Sequence, residues 1–274
     1  MATKHGKERC VSLPFRLGLG AQMIVAHGVD TDLLGTFTGE VPRVGTPREV
    51  AVRKARLGMA ATGLSLGLAS EGSFSPDPFV PYLPIGQETL VFVDDERGIE
   101  VHEQIATMET NFGHAVVSPA AELDSFLDRV GFPVHGVIVR PHRGAVDQGG
   151  MRKGLQTHAD LEEAIQAAAR SSDDGLALVE TDMRAHLNPT RARVIRGLAF
   201  RLALRLRRHC PRCGAPGWGR VDVEPGLPCS WCATPTEMVL HEVYACTECA
   251  HRANHPRSDG LIAADPAQCS YCNP

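Results

Sequence analysis

The sequence predicts an α/β protein in which a mixed sheet flanked by helices is followed by a small cysteine-rich module. Two observations carry this prediction. Short apolar runs alternate with amphipathic, capped segments along the first part of the chain, and eight of the nine cysteines fall after residue 209. We expect a core domain over residues 1–188, a basic connecting helix over 189–208 and the cysteine-rich module over 209–274.

Composition places the chain among ordinary soluble proteins. The apolar fraction is 43%, the charged fraction 22% and the formal net charge −4, so there is no overall attraction to nucleic acid or membranes. The first nine residues are polar, and no stretch reaches the roughly 18 apolar residues that a membrane span needs. We therefore expect a cytoplasmic protein with no membrane partner.

The N-terminal segment, residues 2–8, concentrates a hydroxyl, an imidazole and two lysines before a short segment that runs to Leu19. Thr3, His5 and Lys7 are candidate phosphate ligands, and a solvated terminus is the simpler alternative. A short buried strand is expected over residues 22–27. A loop around the sequence Gly-Thr-Phe-Thr-Gly-Glu, residues 35–40, follows it.

A capping box, Thr46-Pro47-Arg48-Glu49, predicts the start of a helix. The helix should run to about Thr62 and end at Gly63. It carries Glu49 and Lys54 as candidate site residues, although a capping role alone would also explain Glu49.

An apolar strand over residues 64–74 should end in the turn Ser70-Glu71-Gly72-Ser73. A carboxylate between small residues at a strand end suggests a site, because glycine lets a ligand approach the backbone closely. An ordinary surface turn is the alternative. The turn at residues 94–98 then predicts a hairpin between strands 88–94 and 98–107.

The middle of the chain alternates helices and strands. We expect a helix from Ser118 to Arg129 that Gly131 ends, a strand over 134–139, a basic loop over 140–154 and a helix over 160–170.

An apolar strand over residues 176–180 leads into a polar run that contains Asp182 and Arg184. Asn188 should then cap a helix over 190–208 that includes Arg191. Ten arginines and no carboxylate fall between residues 184 and 220, which predicts a basic patch for phosphate or nucleic acid. The alternative is general arginine usage, because the chain has only four lysines.

The cysteine-rich module contains four Cys-x-x-Cys pairs, which are Cys210/Cys213, Cys229/Cys232, Cys246/Cys249 and Cys269/Cys272. In a reducing compartment such pairs are typical zinc ligands, and four thiolates close a structural site. The spacing favours two zinc ribbons formed by consecutive pairs, although the second pair could share a metal with the third. Cys10 is left as a core thiol without a role.

The polar run and cysteine pairs, together with Gly-Thr-Phe-Thr-Gly-Glu and Ala-Ser-Glu-Gly-Ser-Phe, resemble an uncharacterised bacterial family over nearly the whole chain. The first eighty residues are similar to the inosine/xanthosine triphosphate pyrophosphatase superfamily. The likeness rests on Thr3 to Lys7, with His5 where asparagine is usual, on Glu49 and Lys54-Ala55, on Thr62-Gly63-Leu64 and on the acidic turn at Glu71.

That second resemblance implies a metal-dependent hydrolase of a nucleotide phosphoanhydride. Glu49 and Glu71 would hold Mg²⁺ and Glu71 would orient the water, with Asp182 as a third carboxylate. The phosphate ligands would be Thr3, Lys7 and Lys54, with Arg184 and Arg191 as further clamps. The rival prediction is a non-catalytic protein whose basic helix and zinc tail bind nucleic acid or a protein.

Overall fold

A computed structural model describes residues 1–35, 42, 44–119, 122–144 and 150–274. The chain divides into two compact units, one comprising residues 1–93 and 102–201 and the other comprising 94–101 and 202–274. The domain boundaries expected from the sequence stay a prediction. The motif Gly-Thr-Phe-Thr-Gly-Glu falls almost wholly outside the described residues, as does part of the basic loop 140–154.

The described residues contain five α-helices and ten strands. The helices are α1 (Glu8–Leu19), α2 (Pro47–Thr62), α3 (Asp124–Val130), α4 (His158–Ser171) and α5 (Pro189–Leu206). The strands are β1 (Leu66–Pro76), β2 (Pro84–Asp94), β3 (Ile99–Thr107), β4 (His114–Val117), β5 (Val137–Pro141), β6 (Arg152–Leu155), β7 (Ala177–Thr181), β8 (Gly219–Pro225), β9 (Val239–Ala245) and β10 (Arg252–Pro256). The predicted class, α/β with a cysteine-rich tail, is confirmed.

The strands outside the tail form two sheets. One has the order β1-β2-β3 and the other β4-β7-β5-β6, in which the described pairings are antiparallel. Helix α2 packs against β1, and α4 packs against β5 and β7. Each sheet has its own apolar cluster, so helix and sheet bury complementary faces.

Side-chain alternation gives the four-stranded sheet two different faces. Val137, Val139 and Val179 are fully or almost fully buried in the apolar cluster under α3 and α4. Because successive strand residues point to opposite faces, Ile138 and its neighbours across the sheet lie on the other side. This second face carries polar residues and contributes to the candidate site below.

Local signals were the most reliable guide to the helices. At α2 the Thr46 hydroxyl accepts from the Glu49 N–H while the Glu49 carboxylate accepts from the Thr46 N–H, and Gly63 ends the helix with φ 67°. At α5 the Asn188 side chain accepts from the Arg191 N–H at 2.9 Å. One face of α5 is apolar and buried, with Ile195, Leu198, Leu202 and Leu206 all buried.

Three expectations for the secondary structure of residues 1–130 were wrong. Residues 22–27 form no strand, and Ile24 is about half exposed. Strand β1 continues through Ser70-Glu71-Gly72-Ser73 to Pro76 instead of ending in a turn, because β2 pairs alongside it. Helix α3 begins at Asp124, not at Ser118, although Gly131 ends it as expected.

In the second unit, β8, β9 and β10 form an antiparallel three-stranded sheet in chain order. The register aligns Gly219 of β8 with Ala245 of β9, and Ala245 with Arg252 of β10. The connections between strands therefore lie at alternate ends of the sheet. Among the described residues, no helix combines the length and apolar character that crossing a membrane requires.

Candidate functional sites

The eight tail cysteines form two clusters of four sulfurs. One contains Cys210, Cys213, Cys246 and Cys249, and the other contains Cys229, Cys232, Cys269 and Cys272. Within each cluster all four sulfurs lie within 4.8 Å of one another, and the cross-pair Sγ–Sγ distances run from 3.5 to 3.8 Å. Sulfurs so far apart are not disulfide-bonded, since an S–S bond is about 2.05 Å long.

These distances fit a tetrahedral metal ion. A zinc ion with Zn–S bonds of about 2.3 Å separates its sulfurs by about 3.8 Å. Backbone N–H groups support the thiolates from outside, with Trp231 donating to Cys229 Sγ and Arg212 to Cys210 Sγ, both at 3.4 Å. Four thiolate ligands leave no coordination position for water, so both clusters have the composition of structural sites that could hold zinc.

The thiols of one cluster differ in their pKa values. A hydrogen bond with Thr234 lowers the pKa of Cys232 to about 6, whereas hydrogen bonding with Cys232 and burial raise the pKa of Cys272 to about 12. Four neighbouring thiolates repel one another, so they do not all ionise without compensation. A divalent cation at their centre supplies that compensation.

The pairing of the cysteines corrects the sequence analysis. The clusters are interleaved: the first pair joins the third and the second joins the fourth, which is neither the consecutive arrangement nor the second-with-third alternative. The antiparallel sheet explains why. Pairs one and three flank the end of the sheet marked by Gly219, Ala245 and Arg252, and pairs two and four follow the opposite ends of β8 and β10.

The first unit contains a cavity of about 530 Å³ whose lining is rich in lysine. Lys4, Lys7, Lys54 and Lys153 all line it, and these are the only lysines in the chain, whereas only two of the 24 arginines, Arg140 and Arg184, line it. A lysine ammonium is a compact, flexible charge that binds phosphate and whose pKa responds to burial. The cavity is therefore a candidate anion site.

Two of these lysines are buried. Lys7 Nζ donates to the Ser70 carbonyl at 2.9 Å, and Lys54 Nζ forms an ion pair with the Glu71 carboxylate. Burial, reinforced by the nearby Arg191 guanidinium, lowers the pKa of Lys7 to about 8 in spite of the opposing Glu71 and Glu88 carboxylates. Lys7 thus carries a charge at neutral pH that is easily lost in mild alkali.

One wall of the cavity is the polar face of the four-stranded sheet. The register places Ile138 opposite Lys153 of β6 on one side and opposite Glu180 of β7 on the other. Arg140, two residues along β5, donates from Nε to Glu180 at 2.7 Å. The same alternation that buries the valines of this sheet thus lines the cavity with charges.

Asp182 lies just beyond the end of β7 and is completely buried. Its carboxylate accepts from the Arg184 backbone N–H at 3.0 Å and from the Arg184 guanidinium at 2.6 Å. Asp182 therefore holds Arg184 at the cavity, because a charge-assisted pair of this kind fixes the planar guanidinium in one orientation.

Behind the cavity lies a buried ion pair between Arg191 and Glu88. Both side chains are at most 2% exposed, and the Arg191 guanidinium also donates to the Met183 carbonyl. A Cβ atom at Gly72 would lie 2.5 Å from Glu88 Oε1 and 2.6 Å from Arg191 Nη2. Only glycine lets β1 pass this close to the pair, which explains the glycine in the Ser-Glu-Gly-Ser sequence.

Two aromatic rings, Phe74 and Phe112, also line the cavity. Their centroids are 6.1 Å apart with an interplanar angle of 27°, and the Arg191 guanidinium lies 5.2 Å from the Phe74 ring centroid. Both rings are half-buried, so part of each faces the cavity. The lining therefore combines cations that suit phosphate with aromatic surface that suits a planar ring.

The structure gathers most of the sequence-predicted residues around this cavity. Thr3, His5, Lys7, Lys54, Glu71, Asp182 and Arg184 line it. Arg191 lies behind the lining, as described, and Glu49 is not part of it. Glu49 is exposed and engaged by the Thr46 N–H and hydroxyl, so its capping role accounts for it.

The magnesium site expected from the resemblance is not supported by this geometry. Glu49 and Glu71 do not meet at the cavity, and Glu71, Glu180 and Asp182 each already pair with a cation. Among the described residues, only the cysteines form a group with metal-ligand geometry. The arrangement suits an anion better than a divalent cation.

Sequence reasoning missed Lys4, Arg140, Lys153 and the aromatic pair. The sequence predicts a loop at Lys153, whereas this residue belongs to β6. Two signals could have found the charged residues: the scarcity of lysine in an arginine-rich chain, and the period-2 pattern of β5, where Ile138 and Arg140 alternate with buried valines.

The basic helix α5 uses several of its arginines within the protein. Arg193 pairs with Glu109 at 2.6 Å, Arg201 pairs with Glu103 at 3.0 Å, and Arg205 is buried and donates to the Gly217 carbonyl. Together with the buried Arg191, these contacts give a structural role to four of the five arginines of α5. Nucleic-acid binding through α5 stays a prediction.

In a comparison with known protein families, residues 54–274 match the family described as Domain of unknown function (DUF6671). The chain belongs to this family, and the matched region includes both cysteine clusters and the cavity residues from Lys54 onward. No curated protein and no solved structure matches it.

Proposed function

We propose that the cavity of the first unit binds the phosphate groups of a nucleotide and that the protein hydrolyses a phosphoanhydride bond of that nucleotide. The observation that carries the proposal is the placement of all four lysines of the chain around one cavity. The lining residues named above supply six cationic side chains and three carboxylates, which leaves an excess of positive charge. Such an excess attracts a polyanion.

The aromatic pair favours a nucleotide over a bare phosphate. Phe74 and Phe112 offer ring surface on which a base can stack, and a volume of about 530 Å³ lies in the range typical of small-molecule sites. In this arrangement the phosphates lie toward Lys7 and Lys54 and the base toward the phenylalanines.

Glu71 is the residue proposed to position the attacking water. Its carboxylate is 3% exposed, lines the cavity and is held by Lys54. Attack of the water oxygen on the α-phosphorus forms a new P–O bond and breaks the bond to the oxygen that bridges to the β-phosphate. The water loses a proton to solvent, and a triphosphate gives a nucleoside monophosphate and pyrophosphate. The lysines and Arg184 stabilise the negative charge that accumulates in the transition state, a role that fixed cations perform without reorganisation.

The test uses a panel of standard and deaminated nucleoside triphosphates, with binding measured by calorimetry and turnover by pyrophosphate release. We expect Lys7→Met and Lys54→Met to weaken binding at least tenfold. Glu71→Gln should retain binding and lose turnover at least a hundredfold. Arg170→Met removes an exposed cation outside the cavity lining, so its binding and turnover should equal those of the wild-type protein.

The outcomes separate the two parts of the proposal. Binding without turnover in the unchanged protein would refute hydrolysis and leave a nucleotide-binding protein. Absence of binding to every nucleotide and to pyrophosphate would refute both parts. Circular dichroism of each variant establishes that a loss reflects the site and not unfolding.

A further inference from the structure

The segments that carry or adjoin the second cysteine cluster present three exposed large apolar side chains. Trp231 is 80% exposed, Tyr271 75% and Ile262 85%. Trp231 and Tyr271 each directly precede a cysteine of this cluster. The strand-like segment after Ile262 is held beside Trp231, because the Ala264 N–H donates to the Pro228 carbonyl at 2.8 Å and the Ser230 N–H to the Ala264 carbonyl at 3.0 Å. We call Trp231, Ile262 and Tyr271 the aromatic surface.

The first cluster offers an internal comparison. The residues at the corresponding third positions of its two Cys-x-x-Cys pairs are Arg212 and Glu248, and both are exposed. Both clusters thus have the same ligands, yet at these positions one presents charges and the other aromatic rings. Metal binding therefore does not require aromatic residues at these positions.

The backbone beneath the aromatic surface is fixed by local contacts. The Trp231 N–H donates to Cys229 Sγ, and the Asn273 N–H donates to the Cys269 carbonyl at 2.8 Å on the other side of Tyr271. Aromatic side chains on a fixed backbone lose little entropy on binding, and Trp and Tyr are enriched at the energetic centres of protein interfaces.

The charge of the segments around the aromatic surface indicates the charge of the partner. Residues 209–274 contain seven carboxylates, four arginines and no lysine, and the stretches 226–237 and 258–274 contain carboxylates but no cation. We propose that the aromatic surface docks a protein segment that presents an arginine or lysine beside an apolar side chain. The cation lies over an aromatic ring within an acidic surround, and the apolar side chain covers Ile262.

The same charge count disfavours nucleic acid as the occupant. Binding a phosphate backbone requires lysines and arginines that replace its counterions, and Arg257, the arginine nearest to Ile262 in the sequence, is already paired with Asp259. Exposed aromatic rings alone stack on bases, but without cations they lack the main source of affinity.

The experiment selects a phage-displayed library of random twelve-residue peptides against the full-length protein prepared with zinc. The enriched peptides are labelled, and their affinity is measured by fluorescence anisotropy. We expect enrichment of arginine or lysine next to leucine, isoleucine or phenylalanine. The double variant Trp231→Ser/Tyr271→Ser should bind these peptides at least tenfold more weakly, whereas the matched variant Arg212→Ser/Glu248→Ser should stay within about twofold.

Two results would overturn the proposal. If the selected peptides share no motif of a basic residue beside an apolar one, or if the two double variants bind the peptides equally well, the aromatic surface does not dock such a segment. Tighter binding of a single-stranded RNA twenty-mer that depends on Trp231 would assign the surface to nucleic acid instead. The four substituted side chains are exposed, and zinc content measured in each variant verifies that the clusters are intact.

Discussion

The cysteine clusters and the cavity of the first unit are assembled from the chain in different ways. Each cluster takes its ligands from two short pairs of one residue type, at the ends of one small sheet. The cavity takes single side chains of several types from α2, β1, β5, β6 and β7, and from the segments before α1 and after β7. A site of the first kind is visible in the sequence, and a site of the second kind becomes visible only when the fold brings its parts together.

The two regions also differ in what stabilises them. The first unit has two apolar clusters of its own, with many fully buried aliphatic side chains. The strands of the tail sheet are mostly exposed, with Glu242 the buried residue of β9. We therefore expect a module with so little buried apolar surface to depend on metal ligation for its stability.

Removing metal tests this difference and has the largest expected effect. A structural zinc site contributes about 10–16 kcal/mol in model peptides, so chelation should unfold residues 209–274. NMR spectra of the full chain should lose the dispersed signals of the tail and retain those of the first unit. The control is Cys10→Ser, which removes a buried thiol that belongs to neither cluster and should retain both metals.

Paired substitutions test the interleaved arrangement directly. Cys210→Ser/Cys249→Ser alters one cluster and should leave one zinc per chain. Cys210→Ser/Cys229→Ser alters both clusters and should leave none bound tightly. Consecutive pairing of the cysteines predicts the reverse result, so zinc measured by mass spectrometry separates the two arrangements.

Breaking the buried ion pair should destabilise the first unit. Arg191→Met leaves the Glu88 carboxylate buried without its main partner, at a cost of about 3–5 kcal/mol. The matched variant Arg193→Met, on the same helix, removes an exposed pair with Glu109 and should cost less than about 1 kcal/mol. Urea unfolding of the two variants measures the contrast.

A second substitution identifies the cause of that loss. If it comes from the unpaired charge, Arg191→Met/Glu88→Met should recover much of the stability. If the free energy of unfolding of Arg191→Met lies within 1 kcal/mol of the wild-type value, the ion pair does not stabilise this part of the cavity wall.

The parts of the fold that depend on local signals could be predicted from the sequence. Helix α2 is specified by Thr46, Glu49 and Gly63, all within a few residues of the backbone they cap. Strand β1 was ended too early, because Ser, Glu and Gly are poor strand formers and only the neighbouring strand β2 shows that pairing continues.

The candidate sites follow the same rule. All eight cysteines were identified, but their pairing depends on the order of β8, β9 and β10, which the spacing alone does not reveal. Lys7, Lys54 and Glu71 were found, whereas Arg140 and Lys153 were not, because each looks unremarkable until the register of β5 with its neighbours places it at the cavity. Long-range pairing is the information that local patterns lack.

The smallest effect concerns the charge of Lys7. Because its pKa is lowered to about 8, Lys7 is protonated at pH 7 and largely neutral at pH 9. Nucleotide phosphates have completed their own ionisation by about pH 7, so a change in affinity above that pH reflects the protein. If the phosphates contact Lys7, binding of ATP without divalent ions should weaken about tenfold between pH 7 and pH 9, since roughly one tenth of the lysine is then protonated.

Substitution by arginine assigns this pH dependence. Arg remains charged throughout the range, so Lys7→Arg should bind ATP with an affinity that changes little between pH 7 and pH 9. Lys7→Met should bind weakly at both values. If the affinity of Lys7→Arg for ATP falls between pH 7 and pH 9 as much as that of the wild-type protein, another group causes the pH dependence. Calorimetry at the two pH values measures these affinities. Since the tail cysteines are not in the lining of this cavity, their metal content should not alter the slope, which separates the two regions functionally.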